Sequence, residues 1–309
     1  MPEKAESMKA YFNAMRLGRW PRSLAIFVGS TAFFFIYRQA FTADRLSWLL
    51  LRSLFVFLLT WAVSTANYII NEIADAPTDA HHPTKKNRPL VQGRIRSGPF
   101  LAMGIVISTA SLFLAFRYFS RPFFFSLTAL LIAGIFYNIK PLRTKDIPYL
   151  DSISESANNP IRFLIGWFAF SPGHLPPPPA LLLSWWAFGN YLMVAKRLSE
   201  FRFLKDKAGD YRNSLQKYTH RTLIAVMAVS ALLFFISFLY FALIFKLESF
   251  VILSPLLLGY LSMIFHKTWI ENEVMEEPEK LMLQPKFALF TTVLFIAFVL
   301  AFFFDRAGR

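Results

Sequence analysis

Apolar residues along this chain fall into long blocks separated by short polar, basic or proline-containing stretches. Nine blocks can be marked, over 23–37, 47–70, 98–116, 122–138, 149–170, 179–195, 219–244, 249–266 and 287–304. Their lengths scatter around the ~20 residues that carry a helix across a bilayer. Several hold an internal Pro, Gly or Ser cluster, which membrane helices tolerate when neighbours satisfy the freed backbone groups. The pattern predicts an all-α, polytopic membrane protein with nine transmembrane helices. Residues 23–304 form a single catalytic bundle, preceded by an amphipathic segment over 1–22 and followed by a short tail over 305–309. In the first segment Tyr11, Phe12, Met15, Leu17 and Trp20 alternate with Lys9, Arg16, Arg19 and Arg22. Such a segment is expected to lie along the cytosolic membrane surface rather than to act as a cleaved signal.

Composition sharpens this picture. Hydrophobic residues make up 55% of the 309 and charged residues 17%, below the ~25% of soluble domains. The 36 Phe are too many to mark a site, and most must face lipid or neighbouring helices. There is no cysteine, which excludes disulfides, thiolate metal sites and a cysteine nucleophile. The five histidines, including the adjacent His81 and His82, show no metal-ligand spacing.

The net charge of +14 has two readings. Nucleic-acid binding needs an exposed basic domain, and none is separable here. A positive-inside membrane protein instead collects Lys and Arg in the loops of one side. The N-terminal segment and alternate loops hold 24 of the 33, against 7 in the opposite connections. That imbalance predicts a cytosolic N-terminus, long polar loops on the same side and a C-terminus on the other.

The segment after the second span reads NYIINEIADAPTDAHHPTKKNRPLVQGRI. Asn67, Asn71, Asp75 and Asp79 recur every four residues and so share one helix face. Two carboxylates with amide oxygens suit Mg²⁺, which takes hard oxygen ligands and often shares them with substrate phosphates. Lys85, Lys86 and Arg88 follow, well placed to hold phosphate oxygens. After the fourth span comes YNIKPLRTKDIPYLD, where Tyr137 and Lys145 can meet diphosphate oxygens. Span five carries Asp151, Glu155, Asn158 and Arg162 at helical spacing, one stripe of polar groups inside a membrane segment. It can line a substrate pocket or serve structural partners on other helices.

The N-x3-D-x3-D stripe with its basic -RP-x2-G- continuation resembles the UbiA superfamily of intramembrane prenyltransferases. The resemblance covers nearly the whole chain. It implies a nine-helix bundle in which Mg²⁺ holds a diphosphate donor and the carbon–oxygen bond to that diphosphate ionises. One departure is that Asn71 is followed by Glu72, where the family commonly has Asp. Tyr137, Pro141, Leu142, Arg143 and Lys145 are similar to the family's tyrosine–proline-rich–lysine loop.

After span six, KRLSEFRFLKDKAGDYRNSLQKYTHR allows two alignments. Asp206-x3-Asp210 resembles the second acid-rich motif with which some branches bind a second Mg²⁺. Lys196-Arg197-x2-Glu200, with Arg212-x-Ser214-Leu215-x2-Tyr218, resembles the branch that transfers phosphoribose to decaprenyl phosphate. The resemblance thus implies one or two Mg²⁺ ions held by Asn71, Asp75 and Asp79, with Asp206 and Asp210 in the two-metal case. Glu200 is a further candidate carboxylate. Asn67, Lys85, Arg88, Tyr137, Lys145, Asp151, Glu155, Asn158, Arg162, Lys196 and Arg197 are candidates for substrate contact. Phosphoribosyl transfer to a polyprenyl phosphate is the favoured reading, and prenylation of an aromatic or other small acceptor is the alternative. A lipid transporter or silent scaffold is more remote, because the acidic motif and basic loops gather on one face.

Overall fold

A computed structural model describes residues 8–37, 43–80, 85–171, 173, 175–204, 213–270 and 284–307. The regular structure among them is helical throughout. The helices are α1 (Met8–Ala14), α2 (Ile26–Tyr37), α3 (Ala43–Asp79), α4 (Ser97–Tyr118), α5 (Arg121–Asn138), α6 (Leu150–Ser156), α7 (Asn158–Phe170), α8 (Pro179–Leu204), α9 (His220–Ile244), α10 (Glu248–Ile270) and α11 (Pro285–Ala307). Each apolar block of the sequence lies on these helices. Six of them (α3, α4, α5, α9, α10 and α11) are long and apolar enough to cross a membrane unaided. The other blocks fall short: α2 has 12 residues, the fifth block is divided, and α8 mixes polar residues such as Ser184, Asn190 and Lys196 among its apolar ones.

That division corrects the expectation of one unbroken helix over 149–170. The helix is interrupted at Ala157, and Pro160 follows three residues later. Proline has no N–H for the carbonyl four residues back, here Ser156, and its ring crowds that carbonyl. The stripe from Asp151 to Arg162 is therefore shared between two helices.

The chain packs as two compact units. One comprises residues up to Thr144 together with Asn158–Pro177, and the other Lys145–Ala157 with everything from Pro178. In the first unit α3 is 37 residues long, about 55 Å at 1.5 Å per residue. Hydrocarbon is only ~30 Å thick, so the surplus is the polar C-terminal end carrying the Asn/Asp stripe. The helix continues through Pro77 as far as Asp79.

In the same unit α2 and α7 cross with their backbones in contact. A Cβ added at Gly29 would fall on the Phe163 carbonyl, and one at Gly166 on the Ile26 carbonyl. Small residues permit this approach, which is how apolar helices associate without a hydrophobic driving force between them. Ser30 Oγ seals the crossing by donating to the Gly166 carbonyl (2.9 Å). Arg52, a cation within the second apolar block, donates from Nε to the Ala169 carbonyl (2.5 Å) and lies over the rings of Trp48 and Phe119. Its charge thus meets the partial negative end of α7 and two aromatic faces.

The N-terminal segment packs into the first unit. Tyr11, Ala14 and Met15 are buried against Ile69, Ile95 and Phe100, and Tyr11 Oη accepts from the Arg96 N–H (3.3 Å). Only the opposite face, with Met8, Phe12 and Trp20, stays exposed.

In the second unit α8 and α9 pack along most of their length around Tyr191, Val194, Leu198, Met227 and Phe234. Two polar side chains bond across the packing: Asn190 Nδ2 donates to Ser230 Oγ (2.9 Å) and Tyr191 Oη to the Leu261 carbonyl (2.6 Å). Two helix starts are capped by side chains. Thr219 and Thr222 form a reciprocal box at the start of α9, and Asp305 accepts from the Ser249 N–H (3.0 Å) at the start of α10.

Candidate functional site

The first unit brings the predicted stripe together at the C-terminal end of α3. Asn67, the first of the four, donates from Nδ2 to the Leu130 carbonyl (2.8 Å). Its Oδ1 is buried with no hydrogen-bond partner among the described residues. Gly134 makes the room, since a Cβ there would overlap the Asn67 amide. One turn on, Asn71 Nδ2 donates to Asp75 Oδ2 (3.1 Å) and to Asn138 Oδ1 (2.6 Å). Asn138 in turn donates to the Gly134 carbonyl (2.8 Å). These bonds orient the Asn71 amide so that its carbonyl oxygen, not its NH₂, is left for a cation.

The carboxylates are held by cations. Arg143, at positive φ in the loop after α5, donates from Nη2 to Asp75 Oδ1 (3.2 Å) and from Nη1 to the Ala74 carbonyl (3.1 Å). Asp79 is buried and pairs with Arg88, with Lys85 Nζ at 3.8 Å. Glu72 is also buried and pairs with Arg16 and, at 3.5 Å, with Arg88. Three carboxylates (Glu72, Asp75 and Asp79) and four cations (Arg16, Lys85, Arg88 and Arg143) thus pair at this end of α3.

Among the described residues no three His, Cys, Asp or Glu groups converge as a ready metal cage. Two carboxylates with amide oxygens are nonetheless a fitting set for Mg²⁺. That ion keeps waters and completes its shell from substrate phosphates rather than from an all-protein cage. The orphaned Asn67 oxygen and the oriented Asn71 carbonyl both add hard donors to this end of α3.

The second unit assembles a different cluster. Arg197 is fully buried and spends its whole guanidinium on carboxylates. Nε donates to Asp151 Oδ2 (2.7 Å), Nη2 to Glu155 Oε2 (2.8 Å) and Nη1 to Glu200 Oε2 (3.1 Å). Asp151 also accepts from Ser214 Oγ (3.0 Å) and from Tyr218 Oη. Tyr218 Oη accepts in turn from the N–H of Tyr149 (2.6 Å), a bulky residue at φ 66. A residue in that region costs on the order of 1–3 kcal/mol and persists because its surroundings hold it. Burial, then the neighbouring Asp151 charge, push the Tyr218 hydroxyl above its ordinary range. Arg197, Ser214 and Tyr218 therefore meet at one buried aspartate, and Glu200 joins them through Arg197.

The remaining predicted residues are placed as follows. Tyr137 is half-buried near the end of α5, beside Asn138, and Asn158 and Arg162 are half-buried on α7. In the second unit Lys145 is buried in a short turn over Thr144–Asp146, and Lys196 is half-buried on α8. Asp206 and Asp210 lie outside the described residues. Sequence reasoning missed Arg16, Glu72 and Asn138, and gave Arg143 no role. Asn138 and Glu72 did carry a signal, as polar residues adjoining residues already singled out (Tyr137 and Asn71). Arg16 carried none, because its partner is 56 residues away.

Taken together, these features define a polytopic, all-helical membrane protein with an acid-and-amide stripe at the end of one membrane helix. A model of the UbiA prenyltransferase family matches residues 25–294, and the chain belongs to that family. Members of the family are membrane transferases.

Among curated proteins, a lycopene elongase/hydratase of Haloarcula japonica is 32% identical over 41% of this chain and 42% of its own length. A decaprenyl-phosphate phosphoribosyltransferase of Mycobacterium tuberculosis is 25% identical over 57% of this chain and 56% of its own. The matched stretches span between a fifth and somewhat over half of the curated relatives' length. The fold is similar to that of a UbiA homologue from Archaeoglobus fulgidus bound to GPP and Mg2+. That likeness has a TM-score of 0.68 at 19% identity and covers 96% of this chain and 98% of the other.

Proposed function

We propose that this chain catalyses Mg²⁺-dependent displacement of diphosphate from a phosphorylated donor at the C-terminal end of α3. The observation that carries the reading is the stripe of Asn71, Asp75 and Asp79, oriented by Asn138 and Arg143 and flanked by Lys85 and Arg88. Asn71, Asp75 and Asp79 would hold the metal. Mg²⁺, when bound, neutralises the departing diphosphate as carbon takes on cationic character. Arg88, Lys85 and Arg143 hold phosphate oxygens on the same face. A Mg²⁺–diphosphate pair is still anionic, so the cations gathered there suit it. In the second unit Lys145 and Lys196 are further candidates for phosphate contact. Arg197 and Glu200 act by holding Asp151, Glu155 and the 213–218 segment in place.

The favoured donor is phosphoribosyl diphosphate, with a polyprenyl phosphate attacking its anomeric carbon. That acceptor is already anionic, so no general base is needed, only cations to seat it. Two observations support this donor: the similarity to decaprenyl-phosphate phosphoribosyltransferases, and the convergence of Arg197, Ser214 and Tyr218 on Asp151, with Glu200 on Arg197. The second reading is prenyl transfer from an allylic diphosphate to a small acceptor. It is favoured by the fold shared with a protein bound to GPP and Mg2+. In either case the proposed setting is a nine-span bundle with the N-terminus and polar loops cytosolic and the C-terminus opposite. The 24 to 7 division of Lys and Arg supports that orientation.

The test uses purified protein in detergent with Mg²⁺ and follows lipid-extractable product. One mixture holds phosphoribosyl diphosphate and a polyprenyl phosphate, the other a labelled prenyl diphosphate and aromatic acceptors. Product from the first mixture alone establishes the phosphoribosyl reading. Product from the second alone replaces it with prenyl transfer.

A further inference from the structure

We propose that Glu72 and Arg16 are positioning residues, through which the N-terminal segment holds Arg88 in register with the metal-binding stripe. The proposal rests on the reading of Asp75 and Asp79 as metal ligands. Glu72 adjoins Asn71 in sequence but faces differently. Only 2% of its surface is exposed, and its carboxylate meets Arg16 and Arg88. Arg88 Nη1 lies between Glu72 and Asp79, so one guanidinium nitrogen is shared by a structural and a stripe carboxylate. Glu72 therefore sets where Arg88 sits, and Arg88 sets how Asp79 is presented.

Arg16 secures the other end of this chain of charges. It takes a left-handed backbone (φ 53, ψ 40) at the joint between α1 and the 3₁₀ turn over Leu17–Ala25. Packing fixes that joint: Tyr11, Ala14 and Met15 are buried before it, and Trp20 packs edge-on against Phe57 after it. A buried carboxylate with a single shared cation would be short of charge compensation, and Arg16 supplies the second. The geometry also accounts for glutamate at this position. The side chain must reach both Arg16 and Arg88, and the extra methylene over aspartate provides that reach.

The experiment measures binding of inorganic pyrophosphate with Mn²⁺, by electron paramagnetic resonance of the bound metal in detergent. It needs neither the natural donor nor turnover. Glu72→Gln is expected to weaken binding about tenfold and Arg16→Gln about threefold, in keeping with loss of charge-assisted contacts. The double variant should be no weaker than Glu72→Gln alone, because Arg16 acts through Glu72. Glu72→Asp keeps the charge but loses reach, and should fall between wild type and Glu72→Gln. Trp20→Ala loosens the same segment without touching Glu72 and should bind within twofold of wild type.

Unchanged binding in Glu72→Gln, or independent, multiplying effects in the double variant, overturns the proposal. So does a Trp20→Ala defect as large as that of Arg16→Gln, which would mean bulk packing. If Glu72→Gln does not fold, Glu72→Asp and Arg16→Gln decide alone: an unchanged affinity in both is contrary. Asp75→Asn separates the two readings. If it binds like wild type, the metal assignment itself fails. If it loses binding while Glu72→Gln does not, only the positioning role fails.

Discussion

Asp151 and Arg197 meet at 2.7 Å with neither side chain exposed to solvent. Removing one partner of a buried pair leaves an uncompensated charge, at a cost of about 3–5 kcal/mol. Arg197→Met should therefore lower the thermal midpoint in detergent sharply, because it takes the guanidinium from the fully buried Asp151. Arg197→Lys should also destabilise, though less, since a point charge cannot serve three carboxylates as a planar fork does. Midpoints equal to wild type in both variants would mean that the cluster is not what holds α6, α8 and the 213–218 segment.

Asp75 sits at the opposite extreme. It is part-exposed, and its partners Asn71 and Arg143 have other bonds of their own. Asp75→Ala should abolish turnover and leave the midpoint nearly unchanged. Thermal scans beside activity assays check this, and loss of fold would make the stripe structural.

The α2–α7 crossing is the tightest backbone approach in the first unit. Gly166→Ala places a methyl on the Ile26 carbonyl, and nothing there is a flexible side chain that can yield. The expected cost is about 3 kcal/mol, the upper end of ordinary overpacking. Gly18→Ala meets nothing within 4 Å and serves as the control, expected near neutral in the same thermal measurement.

Tyr218 gives a pH expectation. Its folded value is raised, so the neutral hydroxyl is favoured in the native state. The stability it contributes is fully present below the ordinary tyrosine value of 10.0 and is lost as pH rises through the higher folded value. Tyr218→Phe should flatten the loss of stability above pH 10, read from thermal midpoints across an alkaline series.

The fold was largely legible, because each apolar block became helix and the Asn/Asp period of four landed on one helix end. The break at Ala157 was legible in principle from Pro160, but hydrophobicity alone runs straight across it. The shared helix face was legible where residues lie within a turn or two of each other, as with Asn71, Asp75 and Asp79. Long-range partners gave no signal. Arg16 with Glu72 and Arg143 with Asp75 are joined by packing, not by spacing. Arg197, read from its motif as a substrate contact, is buried and paired with Asp151, Glu155 and Glu200, partners its spacing did not announce.

The central claim is Mg²⁺-dependent displacement of diphosphate at the α3 stripe, and pyrophosphate release tests it whichever donor is correct. Purified protein is given phosphoribosyl diphosphate with a polyprenyl phosphate, or a prenyl diphosphate with aromatic acceptors, and free pyrophosphate is followed. Release in one mixture, abolished by chelation and by Asp75→Ala, is the predicted result. Release that survives chelation or Asp75→Ala, or no release from either mixture, would contradict it.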